Sequence, residues 1–175
     1  MIDQIRGEKA AIPDAPQRAT SPRSIREFAG KFVPAFAMCF LLAACAAEET
    51  PRVYDRDPSL PAEFPFSSAV VAGDTIYLSG EIGRAPGTVT LVDGGVGPQT
   101  TAIFEIYRQT LARVGADLSD IVKCTVFLDD MSKFAEMNAA YAEVFPGDKP
   151  VRSTFGVEGI ALGAAIEIEC LAVKR

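Results

Sequence analysis

Apolar positions along the chain change their period several times, and each period predicts an element. Ala69–Val71 and Thr75–Leu78 are short β-branched runs on either side of Ala72-Gly73-Asp74, which predicts a β-hairpin. The period then lengthens. Ile103, Tyr107, Leu111 and Val114 recur at spacings of three and four, with Ile106 beside them. This predicts a helix over Pro98–Val114, opened by Pro98 and stopped by Gly115. Val122–Leu128 (VKCTVFL) alternates and reads as a strand. Met131–Phe145 returns to the helical period through Phe134, Met137, Tyr141, Val144 and Phe145, and Pro146-Gly147 ends it. In the last segment, Val151–Val173, Ile166, Ile168 and Cys170 alternate with Glu167 and Glu169. Its glycines, Gly159 and Gly163, predict that it folds back on itself as a hairpin. A turn near Ile160 would set Arg152 across from about position 168, a fixed cation beside a carboxylate.

Between these elements Pro58–Phe66 is proline-rich and reads as loop. Ser79-Gly80-Glu81-Ile82-Gly83 ends a strand with glycines that permit close approach of a substrate or another backbone. Arg84–Pro98 reads as loop with one edge strand at Val89–Val92. The predicted order β-β-α-β-α-β-β is an α+β domain: a single sheet of about five or six strands with two helices on one face. Nothing in the chain covers the other face, so self-association is expected there.

Composition narrows the chemistry. The 175 residues suffice for one domain with a real core. The net charge of −6 gives no general attraction for phosphate backbones. The complete absence of histidine removes Ser–His and Cys–His pairs, imidazole bases and every His-containing metal site. No metal is expected. Among the four cysteines no C-x-x-C pair occurs. Cys124 and Cys170 occupy apolar strand positions, where two buried free thiols are the first expectation and a disulfide the alternative.

The N-terminal stretch predicts export. Arg23, Arg26 and Lys31 precede an apolar run, Phe32–Ala44, too short to span a membrane and suited to a signal-peptide core. It ends in Leu42-Ala43-Ala44-Cys45, which resembles a bacterial lipobox, with Cys45 as the lipidated residue. Residues 1–44 thus read as a leader, 45–57 as an acidic tether containing a short strand near Arg52–Tyr54, and 58–175 as the folded domain. By the sorting rules this resembles, Ala46 after the cysteine implies a periplasm-facing outer-membrane lipoprotein rather than an inner-membrane one. The leader holds six basic and four acidic residues, so its removal leaves a net charge of −8.

Seven short pieces fall in the order and spacing of one family: Phe64–Ser67, Ser79–Ile82, Gln99-Thr100, Val122–Leu128, Phe134–Tyr141, Pro150–Thr154 and Ala165–Ala172. Together they resemble the RidA/YjgF reactive-intermediate deaminases over Pro58–Arg175. The resemblance implies a chorismate-mutase-like fold, homotrimers with clefts between subunits, and cofactor-free hydrolysis of small enamines and imines, such as 2-aminoacrylate, to 2-keto acids and ammonia. It implies Arg152 as the carboxylate-binding arginine and Glu167 as the residue that activates water. Thr154, Ser79, Gly80, Phe66 and Asn138 become substrate contacts. Phe66 stands where the family often has tyrosine, and Glu81 where it usually has glutamine, which adds a negative charge near an anion site. These departures favour an alternative, a non-catalytic small-carboxylate binder or envelope interaction protein on the same fold. An endoribonuclease is disfavoured by the charge and the missing histidine, and a chorismate-mutase activity rests on fold analogy alone.

Overall fold

The computed structural model describes residues 50–175. The predicted leader and Cys45 lie outside the described residues. The strands are β1 (Val53–Asp55), β2 (Ala69–Ala72), β3 (Thr75–Leu78), β4 (Glu81–Ile82), β5 (Ile121–Leu128), β6 (Val151–Gly156) and β7 (Ile166–Val173). The helices are α1 (Val96–Arg113) and α2 (Phe134–Val144). The strands form one sheet in the order β1-β2-β3-β7-β5-β6, with β4 also pairing β7. The expected α+β architecture is present. Strand β1 belongs to the sheet, so folded structure reaches back before residue 58.

One face of the sheet is core. Ile76, Leu78, Cys124, Val126, Leu128, Ile166, Ile168 and Ala172 are buried from the strands. Helix α1 covers them with Ile103, Phe104, Tyr107 and Leu111, and α2 with Met137 and Tyr141. Burying each such side chain is worth about 1.5–3 kcal/mol. Phe104 lies edge-on to Tyr107, Tyr141 and Phe145, with ring centroids 5.9, 5.4 and 5.1 Å away. Helix α1 lacks a side-chain cap from its own N-cap residue, Gly95. Glu136 of α2 accepts from the Gly97 N–H at 3.1 Å instead, placing a carboxylate at the positive end of α1.

The last segment departs from expectation. β6 and β7 do not pair with each other. β5 lies between them, parallel to β6 and antiparallel to β7. Arg152 is therefore in register with Cys124 on β5, and Cys124 with Cys170 on β7. The period-2 pattern was present in both strands, but alternation does not say which strand is the neighbour. The glycines invited a hairpin, whereas the chain uses 157–165 as a longer connection containing a short 3-10 turn, Ala161–Gly163. Val89–Val92 likewise forms no strand; only an isolated bridge, Arg84 to Leu91, ties that loop.

The cysteine expectation is also corrected. Cys124 and Cys170 form a disulfide, and both are buried on the core face. Their direct cross-strand register brings the two Cβ atoms together, which sequence separation could not reveal.

A second irregularity shapes the site. Tyr77 pairs with Leu171, but Glu81 pairs with Ile168: four residues on one side oppose three on the other. The extra residue is a β-bulge over Leu78–Gly80. The Tyr107 hydroxyl fills the gap in the ladder. It lies 2.9 Å from the Ser79 carbonyl and also meets the Ile168 carbonyl.

Candidate functional site

The predicted site residues gather in two places on opposite faces of the sheet. Phe66, Ser79, Gly80 and Glu167 line one pocket of about 420 Å³ on the open face. Arg152, Thr154 and Asn138 lie elsewhere. Arg152 and Thr154 alternate with the open-face residues of β6 and share the face of Cys124 and Val126, their register partners. Arg152 and Glu167 are therefore not side by side within one chain, contrary to the hairpin expectation.

The arginine half-site is built by α2 and the edge strand β6. The Arg152 guanidinium donates to the Asn138 side-chain oxygen and lies 3.5 Å from the Met137 sulfur. It stacks over the Tyr141 ring at 4.6 Å and stands 5.8 Å from the Phe134 ring. These contacts hold its plane by cation–π attraction and one neutral hydrogen bond. Among the described residues no carboxylate pairs with it. A half-buried, oriented guanidinium with spare donors is suited to receive a carboxylate in a two-pronged contact. The ring beneath it is Tyr141, whose hydroxyl is buried with no partner among the described residues and is pushed up to about 12 by burial.

The carboxylate half-site is built by the bulge and β7. Burial pushes the Glu167 carboxyl above the ordinary glutamate range, and the Glu169 charge pushes it further. Gly80 faces it closely. A Cβ on Gly80 would lie 2.3 Å from Glu167 Oε1, so only glycine leaves the carboxylate in place. Ile82 is the register partner of Glu167 and stands on the same face. Phe66, Leu162 and Val89 complete an apolar surround.

Glu81 does not add an uncompensated charge. The bulge turns it to the core side, where it is 7% exposed. Arg84 donates to both its oxygens, Nε to Oε2 at 3.1 Å and Nη2 to Oε1 at 3.2 Å. Arg84 also reaches Asp57 at 3.4 Å and donates to the Thr88 carbonyl at 3.1 Å. Burial raises the Glu81 carboxyl, and the Arg84 contacts oppose that rise. This cluster joins β4 to both loops that wall the pocket. Sequence reading missed it, along with Tyr107. The available signals were an arginine three residues after an acid in a loop, and a tyrosine on the apolar stripe of α1. Gln99 belongs to one of the seven family-like pieces, Gln99-Thr100. Its side-chain oxygen accepts from the Ala165 N–H at 2.9 Å and so fixes the start of β7 to α1.

Comparison with known proteins gives consistent matches. A family model described as Endoribonuclease L-PSP matches residues 57–174. Reactive Intermediate Deaminase A, chloroplastic, of Arabidopsis thaliana is 36% identical over 139 residues, covering 79% of this chain and 73% of that protein. The 2-iminobutanoate/2-iminopropanoate deaminase of Homo sapiens is 36% identical over 110 residues, covering 63% and 80%. The crystal structure of the YjgF gene product of E. coli aligns with a TM-score of 0.64 at 30% identity, covering 70% of this chain and 98% of that one.

Proposed function

The chain belongs to the endoribonuclease L-PSP family, and on that premise we propose that it hydrolyses imines and enamines of 2-amino acids to 2-keto acids and ammonia. The observation that carries the proposal is the division of labour just described. One half-site offers an oriented guanidinium with no acidic partner among the described residues, and the other a carboxylate with a raised proton affinity in a pocket. The relatives named as deaminases support the same reaction class.

The site is completed by a second copy. Arg152 lies on an edge strand, and Glu167 on a face that no helix or strand among the described residues covers. That face also exposes Tyr77, Phe155 and Val173, a surface suited to burial between copies. A closed ring of three protomers would bring the Arg152 half-site of one against the Glu167 half-site of the next.

The reaction then balances without a cofactor. Arg152 holds the substrate carboxylate. Glu167 in its ionised form takes a proton from water as the oxygen bonds to the C=N carbon, whose π electrons move to nitrogen. The same carboxyl returns the proton to nitrogen. Glu167 then carries the carbinolamine hydroxyl proton to the amine nitrogen, the C–N bond breaks as the C=O bond forms, and ammonia leaves the keto acid behind. Ser79 and Gly80 flank the point of attack.

The test is release of ammonia and keto acid from freshly generated imino acids, with oligomer size measured alongside. Arg152→Ala should abolish release while the assembly persists. A full-rate Arg152→Ala variant sinks the proposal. Phe66, which brings no hydroxyl to the pocket, favours a second reading, capture of a small carboxylate without turnover; it predicts thermal stabilisation by keto acids with no ammonia. The leader and the buried cystine both support function in an oxidising compartment of the cell envelope, with the chain anchored through Cys45.

A further inference from the structure

We infer that the pocket selects 2-imino acids with a bulky apolar side chain, of leucine or phenylalanine type, over three-carbon ones. This rests on the deaminase reading above. At about 420 Å³ the pocket falls in the size range of sites that hold ligands much larger than a three-carbon acid. Its chemistry is uneven. The polar groups are Ser79 and Gly80 of the bulge, the Glu167 carboxyl of β7, and the Glu81–Arg84 ion pair, whose two charges satisfy each other. Most of the remaining lining is apolar: Phe64, Phe66, Ile82, Val89 and Leu162.

Two of these residues bear the marks of a binding wall rather than of core. Phe66 is 47% exposed and tilted against Phe64, with ring centroids 5.5 Å apart. Leu162 is 68% exposed and holds a left-handed backbone, φ 58° and ψ 13°. That conformation is unfavourable for a leucine, and so exposed a side chain gains little burial from the fold in return. In the single chain that contact is missing, and an apolar group held in the pocket at the mouth shared with the second copy would supply it. The bared glycine and the raised carboxyl beside it mark the space as a place for chemistry rather than for packing.

The wall is also braced in advance. Arg84 ties β4 to Asp57 and to Thr88, at the roots of the two loops that carry Phe64, Phe66 and Val89. Arg56 donates to the carbonyls of Ala62 and Phe64 at 2.9 and 3.0 Å. A wall fixed before binding spends less binding energy on ordering itself.

The experiment compares imines generated in situ from alanine, leucine and phenylalanine. For the wild type, kcat/KM should be at least about tenfold higher for the leucine- or phenylalanine-derived imine, the scale set by a few methylenes in an apolar pocket. Leu162→Gly relieves the backbone and so should fold; it should narrow that ratio several-fold. Binding is read separately, by titrating pyruvate and 4-methyl-2-oxopentanoate into the Glu167→Gln protein, where the branched acid should bind at least about tenfold tighter. Hydrolysis of all three imines with the alanine-derived one equal or preferred overturns the side-chain inference and leaves the deaminase reading standing. Hydrolysis of none overturns both. Equal binding of the two keto acids also counts against the inference, whatever the turnover.

Discussion

At the scale of single residues, the guanidinium and the carboxyl make different demands. Arg152 presents a planar fork held over Tyr141, and in the proposed reaction that fork holds the substrate carboxylate. Arg152→Lys keeps the charge but loses the fork, so kcat/KM should fall about 100-fold, on the scale of one charged hydrogen-bonded pair and short of the complete loss expected of Arg152→Ala. Steady-state ammonia release measures this. Glu167 must be ionised to accept a proton, and its folded-state affinity for protons is raised. Activity should therefore rise with pH along a limb lying above the ordinary carboxylate range, and Glu167→Gln should lose both the limb and the rate. The same shift has a stability consequence with a fixed sign. A raised carboxyl contributes stability below its unfolded value and loses it as pH rises through its folded value. Glu167→Gln should melt higher than the wild type at pH 8, and the difference should vanish near pH 4, as read by calorimetry. Gly80→Ala should reduce activity without unfolding the chain, because the added methyl strikes the Glu167 side chain rather than the backbone.

At the scale of elements, both helices and the first hairpin were legible because a 3.6 or 2.0 period fixes element type and buried face together. Helix Pro98–Val114 was read within two residues of the observed Val96–Arg113. The residues proposed for both half-sites come from a resemblance carried by ordered short motifs. Their arrangement was not legible. Which strand neighbours which depends on contacts distant in sequence, and neither Arg152 nor Glu167 carries a local sign that β5 will part them. The cystine was hidden for the same reason. It clamps β5 to β7 across a sequence separation of 46. By loop-closure entropy that link is worth about 4 kcal/mol. Replacing both cysteines by alanine should lower the unfolding free energy and the denaturant midpoint markedly. Denaturant titration of the variant against the oxidised wild type checks this.

At the scale of the whole molecule, the separated half-sites make a prediction that no single-chain site could satisfy. Mixing inactive Arg152→Ala with inactive Glu167→Gln and allowing subunits to exchange should restore activity. Random assembly into a ring gives each interface about a one-in-four chance of receiving both intact groups. Recovery of roughly a quarter of the wild-type rate is expected, and none if each chain carries its own complete site. Phe155→Glu, on the exposed sheet face, should give a smaller species on light scattering and lose activity with it.

The bulge over Leu78–Gly80 acts as a phase shifter for everything downstream on its strand. Ile76 and Leu78 point to the core, and a regular strand would send Gly80 and Ile82 after them; instead Glu81 points inward and Ile82 outward. An in-frame loss of one codon there would be more than a trimmed corner. The shortened strand would alternate regularly, with Glu81 still inward and Ile82 still outward, but the gap in the ladder would close on the Tyr107 hydroxyl, which now sits between the Ser79 and Ile168 carbonyls.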